Sequence, residues 1–280
     1  MGIKAPFSVI WETIKEWVDD NAPRLSAALA YYTLLSVAPL LIIIIAIAGV
    51  FFGESAARDQ VMSQMQDLVG QQGAQAIQTA ISNAHQSPHG TLAVAVGIIT
   101  LVVGATGAFA ELQSAMNAIW DVKPRPGGAA WGFIRKRLLT FGMVLAIGVL
   151  LLVSLVVSAA LSAIQTYFTN LLPGAATIWQ IVNLAVSLLV ATLLFGLIYK
   201  VLPDVKIRWH DVWIGALVTA ILFTAGKFAI GFYLGHASAA SSYGAAGSLV
   251  VVLIWVYYSA MIFFFGAEFT QVYARRHRPV

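Results

Sequence analysis

The sequence has no cysteine, and only 10% of its 280 residues are charged. Without thiols there is no disulfide framework, no thiolate metal site and no cysteine nucleophile. So few charges exclude a water-soluble globule, in which roughly a quarter of the residues are charged. Also missing are a Walker A loop, a glycine-rich dinucleotide fingerprint and a Gly-x-Ser-x-Gly elbow. Neither ATP-driven transport by this chain nor hydrolase chemistry therefore has a motif to carry it. The apolar stretches show no period-2 alternation, which excludes an outer-membrane β-barrel. What the chain does have is apolar surface, with 60% hydrophobic residues and a mean hydropathy of +0.84. A hydrocarbon layer about 30 Å thick takes roughly 20 helical residues per crossing, so an all-α, polytopic membrane bundle is the expected fold class.

The first residues are charged and show no small-residue cleavage site, which points to a retained segment rather than a removable signal peptide. Phe7, Ile10, Trp11, Ile14 and Trp17 or Val18 recur at helical spacing, while Lys4, Glu12, Lys15, Glu16, Asp19 and Asp20 take the other faces. Residues 5–20 thus read as a helix lying in the membrane interface. Asn21-Ala22-Pro23 is expected to end it. Six transmembrane spans follow, at about 25–52, 92–120, 138–164, 178–202, 212–235 and 248–273. Between the first two, 54–88 is too polar to cross and reads as amphipathic helices outside the bilayer, so the chain forms a single membrane domain. Six spans put both termini on one side. Fourteen of the sixteen basic residues lie in the N-terminal segment, the loops after spans two and four, and the tail. The positive-inside rule then assigns both termini to the cytoplasm and 54–88 to the opposite side.

Several separated blocks carry a family resemblance. They are Ser-Ala-Ala-Leu-Ala-Tyr-Tyr-Thr-Leu-Leu-Ser-Val-Ala-Pro-Leu at 26–40, Asn117-Ala-Ile-Trp120, Pro203-Asp204-Val-Lys206, and Trp209-x-Asp211-Val-Trp213-x-Gly215-Ala. Ser242-Tyr-Gly-Ala-Ala-Gly-Ser-Leu and Gly266-Ala-Glu268-Phe-Thr complete the set. Occurring in this order, they resemble the YihY/BrkB family of bacterial inner-membrane proteins over residues 15 to 275. The resemblance implies six helices in the inner membrane. Members once carried the label ribonuclease BN, and envelope integrity, serum resistance and solute or lipid export are associated with the family. It implies architecture more than chemistry, and names no catalytic residue.

Three charges inside the spans are not explained by orientation. An ionisable group near the bilayer centre costs about 2.5 to 3.5 kcal/mol on insertion scales and usually faces a bundle interior or water. Glu111 lies nine residues before Trp120, and Glu268 seven before Arg275. At 1.5 Å per residue these are similar depths, about 13 and 10 Å from one face. Lys227, eighteen residues past Trp209, lies about 27 Å along its span, out of reach of both. On one reading the glutamates border a cavity and take up a proton, while Lys227 attracts an anionic solute or headgroup. On the other, the glutamates pair with interfacial Arg24 or Arg275, and Lys227 snorkels outward. Asn117 extends the polar stripe of Glu111. The small, polar segment 236–247 makes Tyr243 and Ser248 candidate ligand contacts, or else an ordinary outer loop. Gly104 and Gly107, like Gly231 and Gly235, are spaced for close helix packing.

Arg135, Lys136 and Arg137 beside the third span are expected to meet lipid headgroups, as topology alone demands, and not nucleic acid. His85 and His89 have Pro88 between them, which spoils a helical metal pair, so no metal or other cofactor is expected. A ribonuclease would need an RNA-accessible cluster, for which Asp121, Asp204, His210 and Asp211 are too few. Two functions remain open. One is a transporter or exporter of an anionic solute or lipid. The other is a non-transporting envelope scaffold, not an enzyme, that binds a partner through 54–88.

Overall fold

The structure is a computed structural model that describes residues 4–63, 66, 74–75, 78–79, 104, 107–122, 176–236 and 247–277. The third span (138–164), Arg135, Lys136, Arg137, Tyr243, and most of both 54–88 and 92–106 lie outside the described residues. What is described is helical and contains no strand. The long elements are α1 (Lys4–Asp19), α2 (Ala22–Phe52), α3 (Ala176–Val201), α4 (Trp209–His236) and α5 (Gly247–Arg276). Shorter helical stretches cover 54–63 and 107–119.

Among the described residues three segments are long and apolar enough to cross a membrane: Ile181–Val201, Trp209–Ile230 and Val250–Arg276. Their outward faces carry exposed Ile181, Leu184 and Leu189 on α3, Leu217, Ile221 and Phe228 on α4, and Leu253 on α5. Water would penalise that much apolar surface at about 25 cal/mol per Å², whereas lipid tails do not. The chain is therefore built for a bilayer.

Breaker chemistry sets the junction of α1 and α2. Asn21 adopts a left-handed conformation at φ 54°, and Pro23 falls in the first turn of α2. Asparagine tolerates that region, and proline pre-sets the φ of a helix start. α1 closes at Asp19, just before Asn21 as expected, and Ala22-Pro23 opens α2 about a turn earlier than the span expected from Leu25. α2 then continues as one helix through Pro39 to Gly53, whose φ of 84° lets the chain reverse.

The chain divides into two compact units, one of residues 1–16, 116–222 and 265–280, the other of 17–115 and 223–264. In the second unit Leu41, Ile45 and Val252 form a buried cluster against which Leu34, Val61, Met62 and Val256 pack. After Gly53 the helical stretch 54–63 therefore lies back along α2. Its apolar positions are used within the chain, and Glu54 and Arg58 pair at 3.5 Å on its exposed side. Gly104 approaches Ser36, with Ser36 N 3.2 Å from where a Cβ would stand, and a Cβ on Gly107 would meet the Tyr32 ring. That close approach against α2 is what the glycine spacing suggests.

The first unit contains an ionic clasp. On α1, Ser8, Glu12 and Glu16 follow one another at four-residue spacing and meet two adjacent arginines at the end of α5. Arg275 Nη2 donates to Glu12 Oε1 and, at 2.8 Å, to Glu16 Oε1. Arg276 reaches Glu12 through Nε at 2.9 Å and through Nη2, and donates from Nη1 to Ser8 Oγ at 2.7 Å. Charge-assisted pairs of this kind are the strong members of their class. They hold the Glu12 carboxyl below the usual carboxylate range, with the Arg276 hydrogen bond the largest cause.

Candidate functional site

Within the first unit α3, α4 and α5 meet at a reciprocal pair of glycines and threonines. On α4, Thr219 Oγ1 donates to the carbonyl of Gly215 at 2.7 Å, and on α5, Thr270 Oγ1 donates to that of Gly266 at 2.7 Å. Each threonine sits on the other helix's glycine: a Cβ on Gly215 would land on Thr270 Oγ1, and one on Gly266 would land on Thr219 Oγ1. The pairings 215 with 270 and 219 with 266 run antiparallel. Because Thr219 spends its only proton on Gly215, the hydroxyl of Tyr199 on α3, 3.0 Å away, is the donor to Thr219 Oγ1. Every hydroxyl in this dry crossing donates within the bundle, as membrane interiors require.

Glu268 lies on the side of α5 roughly opposite Gly266 and Thr270, given 100° per residue. It is only 1% exposed. Gln271, one turn on, is also buried, and its Oε1 accepts no hydrogen bond among the described residues. A buried carboxylate thus sits next to a buried acceptor with unused capacity. Arg275, which the sequence offers as a partner for the glutamates in the spans, is engaged by Glu12 and Glu16.

Asn117 has a clear local role. Its Nδ2 donates to Asp204 Oδ2 at 3.1 Å while its Oδ1 accepts from the Asp204 backbone N–H at 2.8 Å. These two bonds tie the end of the 107–119 helix to the turn between α3 and α4. In that turn the Lys200 ammonium donates to the Ile207 carbonyl and lies 5.1 Å from the Trp209 ring centre. Trp209 and Trp213 stack with centroids 6.3 Å apart, both exposed, as aromatic side chains do at a membrane surface.

The remaining candidates are dispersed. Glu111 is half-buried on 107–119, in the other unit from Glu268. Lys227 is half-buried on α4, and its ammonium lies 5.6 Å from the ring centre of Phe228, which is exposed. Ser248 is in the first turn of α5. No three His, Asp or Glu side chains form a metal-type group among the described residues. Thr219 and Gln271 were not singled out in the sequence, and Gly215, Gly266 and Thr270 stood there only as parts of the family blocks. The available signal was Gly-x-x-x-Thr on two successive spans.

These features define a helical membrane protein with polar groups buried between its helices. The chain belongs to the family described as Virulence factor BrkB, which it matches over residues 13–280. It is 29% identical over 262 residues to a UPF0761 membrane protein of Pseudomonas paraeruginosa, covering 90% of this chain and 59% of the relative. It is 30% identical over 260 residues to one from Mannheimia succiniciproducens, covering 88% and 83%. A third, from Alteromonas mediterranea, is 28% identical over 264 residues, covering 92% and 84%. The chain thus spans about three fifths of the length of the Pseudomonas relative. No solved structure matches it.

Proposed function

We propose that this protein crosses a bacterial inner membrane six times, with both termini cytoplasmic, and moves an anionic solute or lipid across it. The carrying observation is Glu268, a carboxylate 1% exposed within a membrane-spanning helix. Such a group is expensive to insert and is kept where a pathway or proton relay uses it. The orphan acceptor of Gln271 adds support, because a buried acceptor without a donor costs about 1–3 kcal/mol. A water or a passing polar donor would satisfy it. Lys227 and the basic inner rim favour an anionic cargo.

The scaffold reading has less support, because Val61 and Met62 of the proposed partner-binding stretch pack on the chain's own core. Reconstitution into liposomes with a panel of anionic metabolites and phospholipids, with and without a proton gradient, tests the proposal. Substrate-dependent flux is the expected result. Its absence under every condition would favour the scaffold.

A further inference from the structure

Two ties join α1 to α5, and both fall on one line of the α5 surface. At the end of α5, Arg276 binds Ser8 and Glu12, and Arg275 binds Glu16. Farther back, the Met261 carbonyl accepts the Nε1–H of Trp17 at 3.3 Å. The contacts advance along α1 as they retreat along α5, so the two helices run antiparallel at this face. Glu268 stands seven residues from Met261 and seven from Arg275. Seven residues fall about 20° short of two full helical turns, so the three positions form a nearly straight row. Bracketed by a tie on either side, Glu268 lies on the side of α5 that α1 occupies.

α1 turns a closed side toward that row. Around the helix Thr13 falls between Glu16 and Trp17, and it is 0% exposed. Its hydroxyl donates to the Val9 carbonyl of its own helix at 2.8 Å. With that one proton spent, Thr13 covers what lies beneath it by contact and not by donating a hydrogen bond.

What holds α1 in place is reversible. Water reaches the clasp, whose Glu12, Glu16, Arg275 and Arg276 side chains are all part-exposed, and such pairs release at modest cost compared with a buried tie. At its other end α1 joins α2 through Asn21, a left-handed residue between two helices. Element-terminal positions of this kind are where hinges form. We propose that α1 is a hinged lid over Glu268, latched by Arg275 and Arg276, and that releasing the latch opens the carboxylate to water. The lid's purpose rests on the transport reading, in which a pathway group needs controlled access, but its test reads chemical access and not flux, so the two fail separately.

The chain has no cysteine of its own, so a thiol can be placed at will. Glu268→Cys, in the full chain in lipid nanodiscs that leave both faces open, is reacted with a charged, membrane-impermeant methanethiosulfonate. Thr270→Cys, in the dry crossing on the other side of α5, is the control. A nitroxide at Asp19→Cys in a parallel sample reports the looseness of α1 by electron paramagnetic resonance. With the clasp intact, both thiols should react slowly.

Adding Arg275→Gln with Arg276→Gln should loosen the nitroxide and speed the reaction at 268 by about ten-fold, a return in keeping with part-exposed ion pairs. Position 270 should stay slow. Glu12→Gln with Glu16→Gln breaks the same pairs from α1 and should act alike. Exchanging all four charges, Glu12→Lys and Glu16→Lys with Arg275→Glu and Arg276→Glu, should restore the slow rate. Fast reaction at 268 with the clasp intact would overturn the lid, and that measurement needs no clasp variant to fold. An unchanged rate at 268 in the clasp-breaking variants, or an exchange that restores nothing, would overturn the latch. Equal acceleration at 268 and 270 would mean general loosening and would overturn the lid as well.

Discussion

The residues that matter most here are small or ionised, and their effects differ in kind. Gly215 and Gly266 are required by contact, since a methyl at either would occupy the place of a threonine hydroxyl. Overpacking of a close-packed crossing typically costs about 1–3 kcal/mol. Gly215→Ala and Gly266→Ala should each lower the Tm of the purified protein by several degrees, measured by thermal unfolding in detergent, whereas Gly53→Ala would act only through backbone strain at its positive φ.

Glu12 is required by charge. Its carboxyl titrates below the ordinary value of 4.5 in the folded chain, so the unfolded chain binds the proton first as pH falls. The clasp's contribution is therefore complete above about pH 4.5 and is lost as pH drops through the lower folded value. A label at Asp19→Cys should keep one mobility from pH 7 to 5 and loosen only on further acidification. Glu12→Gln should be loose, and insensitive to pH, across that range.

Elements in this chain are joined by few polar ties, and the turn after α3 is held by one of them. Asn117→Ala removes both bonds to Asp204 and leaves the Asp204 N–H without that partner. A loss of about 1–3 kcal/mol is expected, with faster hydrogen exchange confined to 202–208 and the end of the 107–119 helix. An exchange pattern unchanged from the native protein would show the tie to be dispensable.

This tie also marks where sequence reading stops. Hydropathy made the helical class and the membrane setting legible, because both follow from apolar runs of bilayer length, and the Asn117, Pro203-Asp204 and Glu268 blocks carried the family. Asn117 and Asp204 were each visible, but 87 residues separate them, and nothing periodic announces such a pair. The clasp joins residues 263 and 264 apart, so Glu12 and Glu16 read as one polar side of an amphipathic helix. Pro23 was legible as a breaker, yet its side of the break depended on Asn21 adopting the left-handed conformation. Glu268 was found because a charge in a span is costly wherever it points. Gln271 and Thr219 were missed, and the role of Thr270 with them, because neutral polar residues in a span are common and become informative only through their partners.

At the scale of the molecule, the described polar groups of the first unit divide by place. Ion pairs and stacked tryptophans lie at helix ends, hydroxyls close the dry crossing of α3, α4 and α5, and one carboxylate is buried on the far side of α5. A carboxyl inside a span is costly to insert and is kept where a pathway or proton relay uses it, and the transport proposal rests on that cost. Its most direct test is proton-gradient-driven flux of anionic cargo into liposomes carrying either the native chain or Glu268→Gln, with Tm measured on both. The expected result is gradient-dependent flux in the native protein that is lost in Glu268→Gln while Tm holds or rises. Equal flux from the two proteins, or none from the native chain above protein-free vesicles, would contradict it.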